Sequence, residues 1–189
     1  MASTVFAPDG PAASFKRWDI PVKWGLLIGV ISILWTTING MFILRRNYIA
    51  YLVLTFLAFV VMIVLYGVTG KKQRDAMGGF ITFKDAFAAI FVAILISSAI
   101  SSLWGFIYAK WIDPHMVDKI KEGTLAFMER MKVPQDKLDE QAANLDKQVA
   151  RSQEPGQLLF SYVKGLIFLS IFGMICAAIV KREPKAANM

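Results

Sequence analysis

Four stretches of this chain carry no charged side chain. Trp24–Leu44 runs for 21 residues, Asn47–Gly70 for 24 and Ala86–Ala109 for 24. The fourth, Gly165–Val180, has 16, and it lengthens to 26 from Pro155 if Lys164 snorkels its ammonium to an interface. A helix needs about 20 apolar residues to cross the hydrocarbon of a bilayer. Lipid offers the backbone no hydrogen bonds, so a spanning segment is either a helix or part of a closed barrel. Barrel strands would appear as roughly 10-residue alternating segments, and these runs do not alternate. The composition agrees, with 56% hydrophobic and 19% charged residues in a chain of 189. The expected fold class is all-α integral membrane: four transmembrane helices, with an extramembrane helical hairpin between helices three and four.

The first span is expected to be retained as an anchor. About 20 polar or mixed residues precede it, and Arg45-Arg46 stands where a signal peptide would need small residues for cleavage. With four spans, both termini and the Lys71–Asp85 loop share one side. That side holds Lys16, Arg17, Lys23, Lys71, Lys72, Arg74, Lys84, Lys181, Arg182 and Lys185 against five acids. The short loop opposite carries Arg45 and Arg46, and the long segment Lys110–Lys164 is balanced at nine basic and nine acidic residues. Short loops dominate the positive-inside rule, so both termini of this multi-pass chain are expected in the cytoplasm. The chain is divided accordingly: a cytoplasmic segment at 1–21, spans one to three within 22–110, a periplasmic hairpin at 111–157, span four at 158–181 and a cytoplasmic tail at 182–189. Trp18, Trp24 and Tyr66 fall near the inner interface; Tyr48, Tyr51, Trp104, Tyr108, Trp111, Phe160 and Tyr162 fall near the outer one, where amphipathic rings anchor.

The outer segment reads as two amphipathic helices. Asp113-Pro114 has the form of a helix start, with an acid at the N-cap and proline at the first helical position. Val117, Ile120, Thr124, Phe127 and Met131 then recur at helical spacing. Val133-Pro134 interrupts, and Leu138, Ala142, Leu145 and Val149 continue the pattern. The two stripes are expected to lie against each other. Val117, Ile120, Phe127, Met131, Leu138, Leu145 and Val149 also form a candidate face for a membrane-protein partner or a second copy of the chain. Pro155-Gly156 turns the chain back to the membrane.

Chemistry is sparse. His115 is the single histidine and Cys176 the single cysteine, so neither a metal cluster nor an internal disulfide is expected. Ser97, Ser98, Ser101 and Ser102 lie in the third span, away from His115, and suggest no catalytic triad. Gly67-Val68-Thr69-Gly70-Lys71-Lys72 lacks the spacing of a phosphate loop. The net charge of +7 lacks the aromatic-interleaved basic patch of a nucleic-acid binder and is read as a topology signal. No cofactor, no catalytic residue and no nucleic-acid partner is expected; the bilayer itself is the expected environment.

One pattern rises above background. Ala89, Ala93, Ser97, Ser101 and Gly105 recur every four residues along the third span. Gly25 and Gly29 form a small-xxx-small pair in the first span, as do Gly173 and Ala177 in the fourth. Small residues let helix backbones approach within lipid, where no hydrophobic effect drives association. The third span is therefore expected to be the central packing helix, its stripe used within the chain rather than in a homodimer.

Three segments carry a family likeness. Gly79-Phe80-Ile81-Thr82-Phe83-Lys84-Asp85-Ala86-Phe87 leads into the third span. Ile107-Tyr108, followed by Trp111-Ile112-Asp113-Pro114, ends it, and Val180-Lys181-Arg182-Glu183-Pro184 closes the fourth. Together they resemble the small inner-membrane family known as domain of unknown function 4199, common in Bacteroidota. The likeness runs from about Trp18 to Lys185. It implies a four-span protein with an outer loop between spans three and four, and it brings no catalytic residues.

The expected function is that of a non-enzymatic structural or accessory protein whose hairpin contacts a partner. The alternative is a small transporter or channel subunit acting as an oligomer, with Asn39, Ser97 and Ser101 facing water. A lipid-modifying enzyme would need an interfacial acid–base pair, for which Lys84-Asp85 is the candidate.

Overall fold

The computed structural model describes residues 11–44, 48–152 and 155–182. Residues 1–10, 45–47, 153–154 and 183–189, Arg45 and Arg46 among them, lie outside the described residues. The elements are α1 (Pro11–Leu44), α2 (Tyr48–Ala76), α3 (Phe83–Ile107), a π turn (Tyr108–Ile112), α4 (Met116–Arg130), α5 (Gln135–Ser152) and α6 (Pro155–Val180). Four helical stretches are long and apolar enough to cross a membrane: Trp18–Phe42, Tyr48–Ala76, Phe83–Ile112 and Leu159–Val180. The chain is thus all-α, with four membrane helices and a helical pair, α4–α5, between the third and fourth. The helix containing the first span begins earlier than the boundary at 22, since α1 starts at Pro11.

The spans alternate in direction. Gly25 of α1 lies against Ala93 of α3, and Gly40 against Tyr108, so α1 and α3 run parallel. Tyr66 of α2 meets Ser97, and Gly70 meets Ile90, so α2 runs the other way. Gly173 of α6 packs on Ile94 and Ile90, and α6 also opposes α3. Helix α3 touches α1, α2 and α6, and so forms the centre of the bundle.

Packing is uneven along the bundle axis. The core comprises Ile28, Tyr66, Ile81, Ala86, Ile90, Ala93, Ile94, Cys176, Ala177 and Val180, all toward the end bearing the Lys71–Asp85 loop. Alanines on α3 and glycines on α1 and α6 let the backbones close there. Toward the hairpin end, an added Cβ at Gly105 or Gly165 would meet nothing within 4 Å. The open space at that end lies beside Gly105 and Gly165, while Gly40 still abuts Tyr108.

The tight end is also sealed by main-chain bonds. Gly78 and Gly79 take positive φ values of 84° and 89°, a region that glycine enters without steric cost. They turn the chain so that Ile81 pairs with Arg182 in an isolated antiparallel bridge, N–H to O at 2.9 and 3.0 Å. Thr82 then caps α3: its hydroxyl accepts from the Asp85 amide at 3.2 Å and donates to the Asp85 carboxylate at 2.8 Å. This reciprocal arrangement satisfies one of the orphan amides of a helix start.

Candidate functional site

The polar side chains inside the spans are mostly occupied. Ser97 donates to the Ala93 carbonyl at 2.7 Å and shares a 2.8 Å hydrogen bond with the Tyr66 hydroxyl. Asn39 donates to Thr55 at 2.8 Å, and Trp35 to the Leu54 carbonyl at 3.1 Å, tying α1 to α2. Tyr162 of α6 donates to the Leu95 carbonyl at 3.1 Å, tying α6 to α3. Asn39 Oδ1 and Trp104 Nε1 are buried and have no hydrogen-bond partner among the described residues. These bonds staple neighbouring helices together, the common use of polar groups within lipid.

The small residues singled out in the sequence divide into two sets. Ala89, Ala93 and Ser97 are buried at the centre of the bundle. Gly25 and Gly29 face Ala93, Ile96 and Ile100 of α3, and Gly173 faces Ile94. Ala177 is fully buried. Ser101 and Gly105, by contrast, are half-buried. Ser101 lines a cleft of about 290 Å³ among the four spans, together with Ser32, Ser98, Ser102, Phe59, Met62, Tyr66, Ser161, Tyr162, Gly165 and Leu169. The stripe therefore packs over its first three members and opens over its last two.

The hairpin is built otherwise than Asp113-Pro114 suggests. The π turn carries the third span onward to Ile112, and the Asp113 amide bonds back to the Tyr108 carbonyl at 2.8 Å. Helix α4 starts at Met116, with His115 rather than Asp113 at its N-cap. The buried Asp113 carboxylate instead receives Lys119 Nζ on both oxygens, at 2.8 and 2.9 Å. The Asp113 carbonyl accepts from the Met116 amide at 3.0 Å, so Asp113 shapes the turn before the helix.

Helices α4 and α5 pack on each other, with Leu138 buried between polar neighbours and Lys121 ion-paired to Asp146 across the pair. Val117, Ile120, Phe127 and Leu145 are half-buried, Met131 is exposed, and the Val149 side chain lies outside the described residues. The hairpin also docks on the bundle. Gly123 abuts the Tyr48 ring of α2, where a Cβ would collide with the ring carbons. The Tyr48 hydroxyl lies 2.6 Å from Thr124 Oγ1, and the Tyr48 and Phe127 rings sit 6.3 Å apart. Phe127 is thus engaged by its own chain. Tyr48 was read from the sequence only as an interfacial anchor and Gly123 was not singled out, although a glycine inside an amphipathic helix is a signal of close approach.

His115 is exposed and 3.6 Å from Asp118. Among the described residues no three His, Cys, Asp or Glu side chains gather as a metal site. Asp85 is engaged by Thr82 at the helix cap.

The three segments that carried the family likeness have defined places in this architecture. The lead-in Gly79–Phe87 forms the turn, bridge and cap at the start of α3; Arg182 of the closing segment is the other half of the bridge; and Tyr108–Ile112 forms the π turn. The model of a family described as protein of unknown function (DUF4199) matches residues 23–182. The chain belongs to that family. No curated protein and no solved structure matches it. The matched stretch of this DUF4199 protein takes in most of the first membrane helix, the other three and the hairpin.

Proposed function

We propose that this protein is a non-enzymatic accessory protein of the bacterial inner membrane, with cytoplasmic termini and a periplasmic hairpin that engages a membrane-protein partner or a second copy of the chain. The observation that carries this reading is the docked hairpin. A glycine contact, a hydroxyl pair and a ring contact fix α4 to Tyr48, while Met131 at its tip stays exposed. A presented, rigid element suits recognition, because little ordering entropy remains to be lost on binding. The test is a photo-crosslinker at Met131 in intact cells. The expected outcome is a discrete adduct from Met131 that the same crosslinker at the exposed Ile179 of α6 does not give. Adducts that spread over lipid and unrelated proteins would count against the reading.

The transporter reading draws on a single observation, the cleft reached by Ser101. Ser97 is buried and bonded to Tyr66, and Asn39 bonds Thr55, so two of the three residues that would face water are engaged elsewhere. The accessory reading is therefore the better supported.

A further inference from the structure

We propose that the cleft among the four spans, which reaches from Tyr66 to Ser161, holds one anionic phospholipid, an acyl chain lying along Phe59, Met62 and Leu169 and the phosphate paired with Lys164. This inference is independent of the accessory reading above. The cleft's volume of about 290 Å³ falls just below the roughly 300–1,000 Å³ typical of ligand sites. Three of its five serines have their hydroxyls occupied. Ser32, Ser98 and Ser101 each donate to a carbonyl of their own helix, at 2.8, 2.6 and 2.9 Å. With those donors spent, the wall suits an alkyl chain better than a hydrogen-bonding solute. Gly165 leaves the α6 backbone recessed at this point, with open space where a Cβ would stand.

The headgroup is argued from charge. Lys164 directly precedes Gly165 and follows Ser161 by three positions, which places it at the edge of the α6 face that lines the cleft. Phe160 and Phe168, four residues to either side, are exposed as a lipid-facing column. Lys164 has no carboxylate partner among the described residues, whereas Lys119 and Lys121 of the hairpin are paired with Asp113 and Asp146. Lys110, at the same end of α3, is held over the Phe106 and Trp111 rings at 5.5 and 5.6 Å. Cations near hydrocarbon call for a counter-charge. A lipid phosphate of the hairpin-side leaflet brings one together with the chain that fills the cleft.

The full chain in mild detergent, stripped of lipid and analysed by native mass spectrometry during titration with phosphatidylglycerol or phosphatidylcholine, provides the test. One phosphatidylglycerol is expected to be retained at concentrations at least tenfold lower than phosphatidylcholine. Lys164→Gln is expected to abolish that preference, and Lys164→Arg to keep it. Gly165→Leu should weaken retention of both lipids about tenfold, because its side chain enters the cleft. Should that variant fail to fold, the Lys164 pair decides alone. Equal retention of the two lipids by the unaltered chain, or an unchanged preference in Lys164→Gln, overturns the proposal. So does a dimer that closes the cleft and excludes lipid.

Discussion

Gly25 and Gly105 are the same residue type in the same bundle, yet they have opposite sensitivities. A Cβ at Gly25 would stand 3.1 Å from both the Cα and the carbonyl oxygen of Ala93, which are backbone atoms that cannot rotate away. Gly25→Leu is therefore expected to cost about 1–3 kcal/mol through overpacking, read as a lower midpoint when the protein is unfolded in mixed micelles. Gly105 faces open space, and Gly105→Ala should stabilise by about 0.5–1 kcal/mol because a helix-interior glycine loses more backbone freedom on folding. Equal effects of the two changes would contradict the uneven packing described above. The sequence marked both positions as small, since spacing reveals which residues can admit a neighbour. It could not mark which ones have a neighbour, because that depends on how far apart α1, α3 and α6 stand at each depth.

The helices themselves were legible because charge-free length is a property of the chain alone. Their junctions were less so. Asp113-Pro114 has the composition of a cap, but the π turn continues past Tyr108 and Lys119 takes the carboxylate, so α4 opens at Met116. A local signal was overridden by an ion pair six residues away. Thr82 caps α3, and Thr82→Ala is expected to cost about 0.5–2 kcal/mol, with the earliest loss of hydrogen-exchange protection at the Asp85 amide. Protection loss spread evenly along α3 would argue against a capping role. The hairpin's seat on Tyr48 lay beyond reach of the sequence, since 76 residues separate Tyr48 from Thr124. Tyr48→Ala should release α4, seen as faster tryptic cleavage at Arg130 and Lys132 with an almost unchanged midpoint for the membrane bundle. Unaltered cleavage would mean that α4–α5 packing alone holds the hairpin.

At the scale of the molecule, α3 serves as the common wall against which the other three spans lie. A cysteine placed at Ser97, with Cys176 replaced by alanine, should resist a water-soluble maleimide from both sides of the membrane, because that position is 1% exposed within the bundle. Rapid labelling would revive a water-filled path. For the orientation we propose, a reporter that matures only in the cytoplasm should fluoresce when fused after Met189, and a phosphatase inserted near Val133 should be active. The opposite pattern at both sites would reverse the chain in the membrane while keeping its four spans.

The bridge between Ile81 and Arg182 also says something about the order in which the protein is made. Ile81 leaves the ribosome 101 residues before its partner, and at roughly 5–20 residues per second that interval lasts roughly 5–20 s. Through that time the Ile81 amide and carbonyl have only water to bond. The α6-facing side of α3, with Ile90 and Ile94, has only lipid or a chaperone against it. Arrival of α6 covers that side and closes the bridge together, so the last span to be synthesised is the one that completes the fold. A nascent chain arrested before Pro155 should accordingly be short-lived in cells with active membrane proteases, and one arrested just beyond Arg182 should persist.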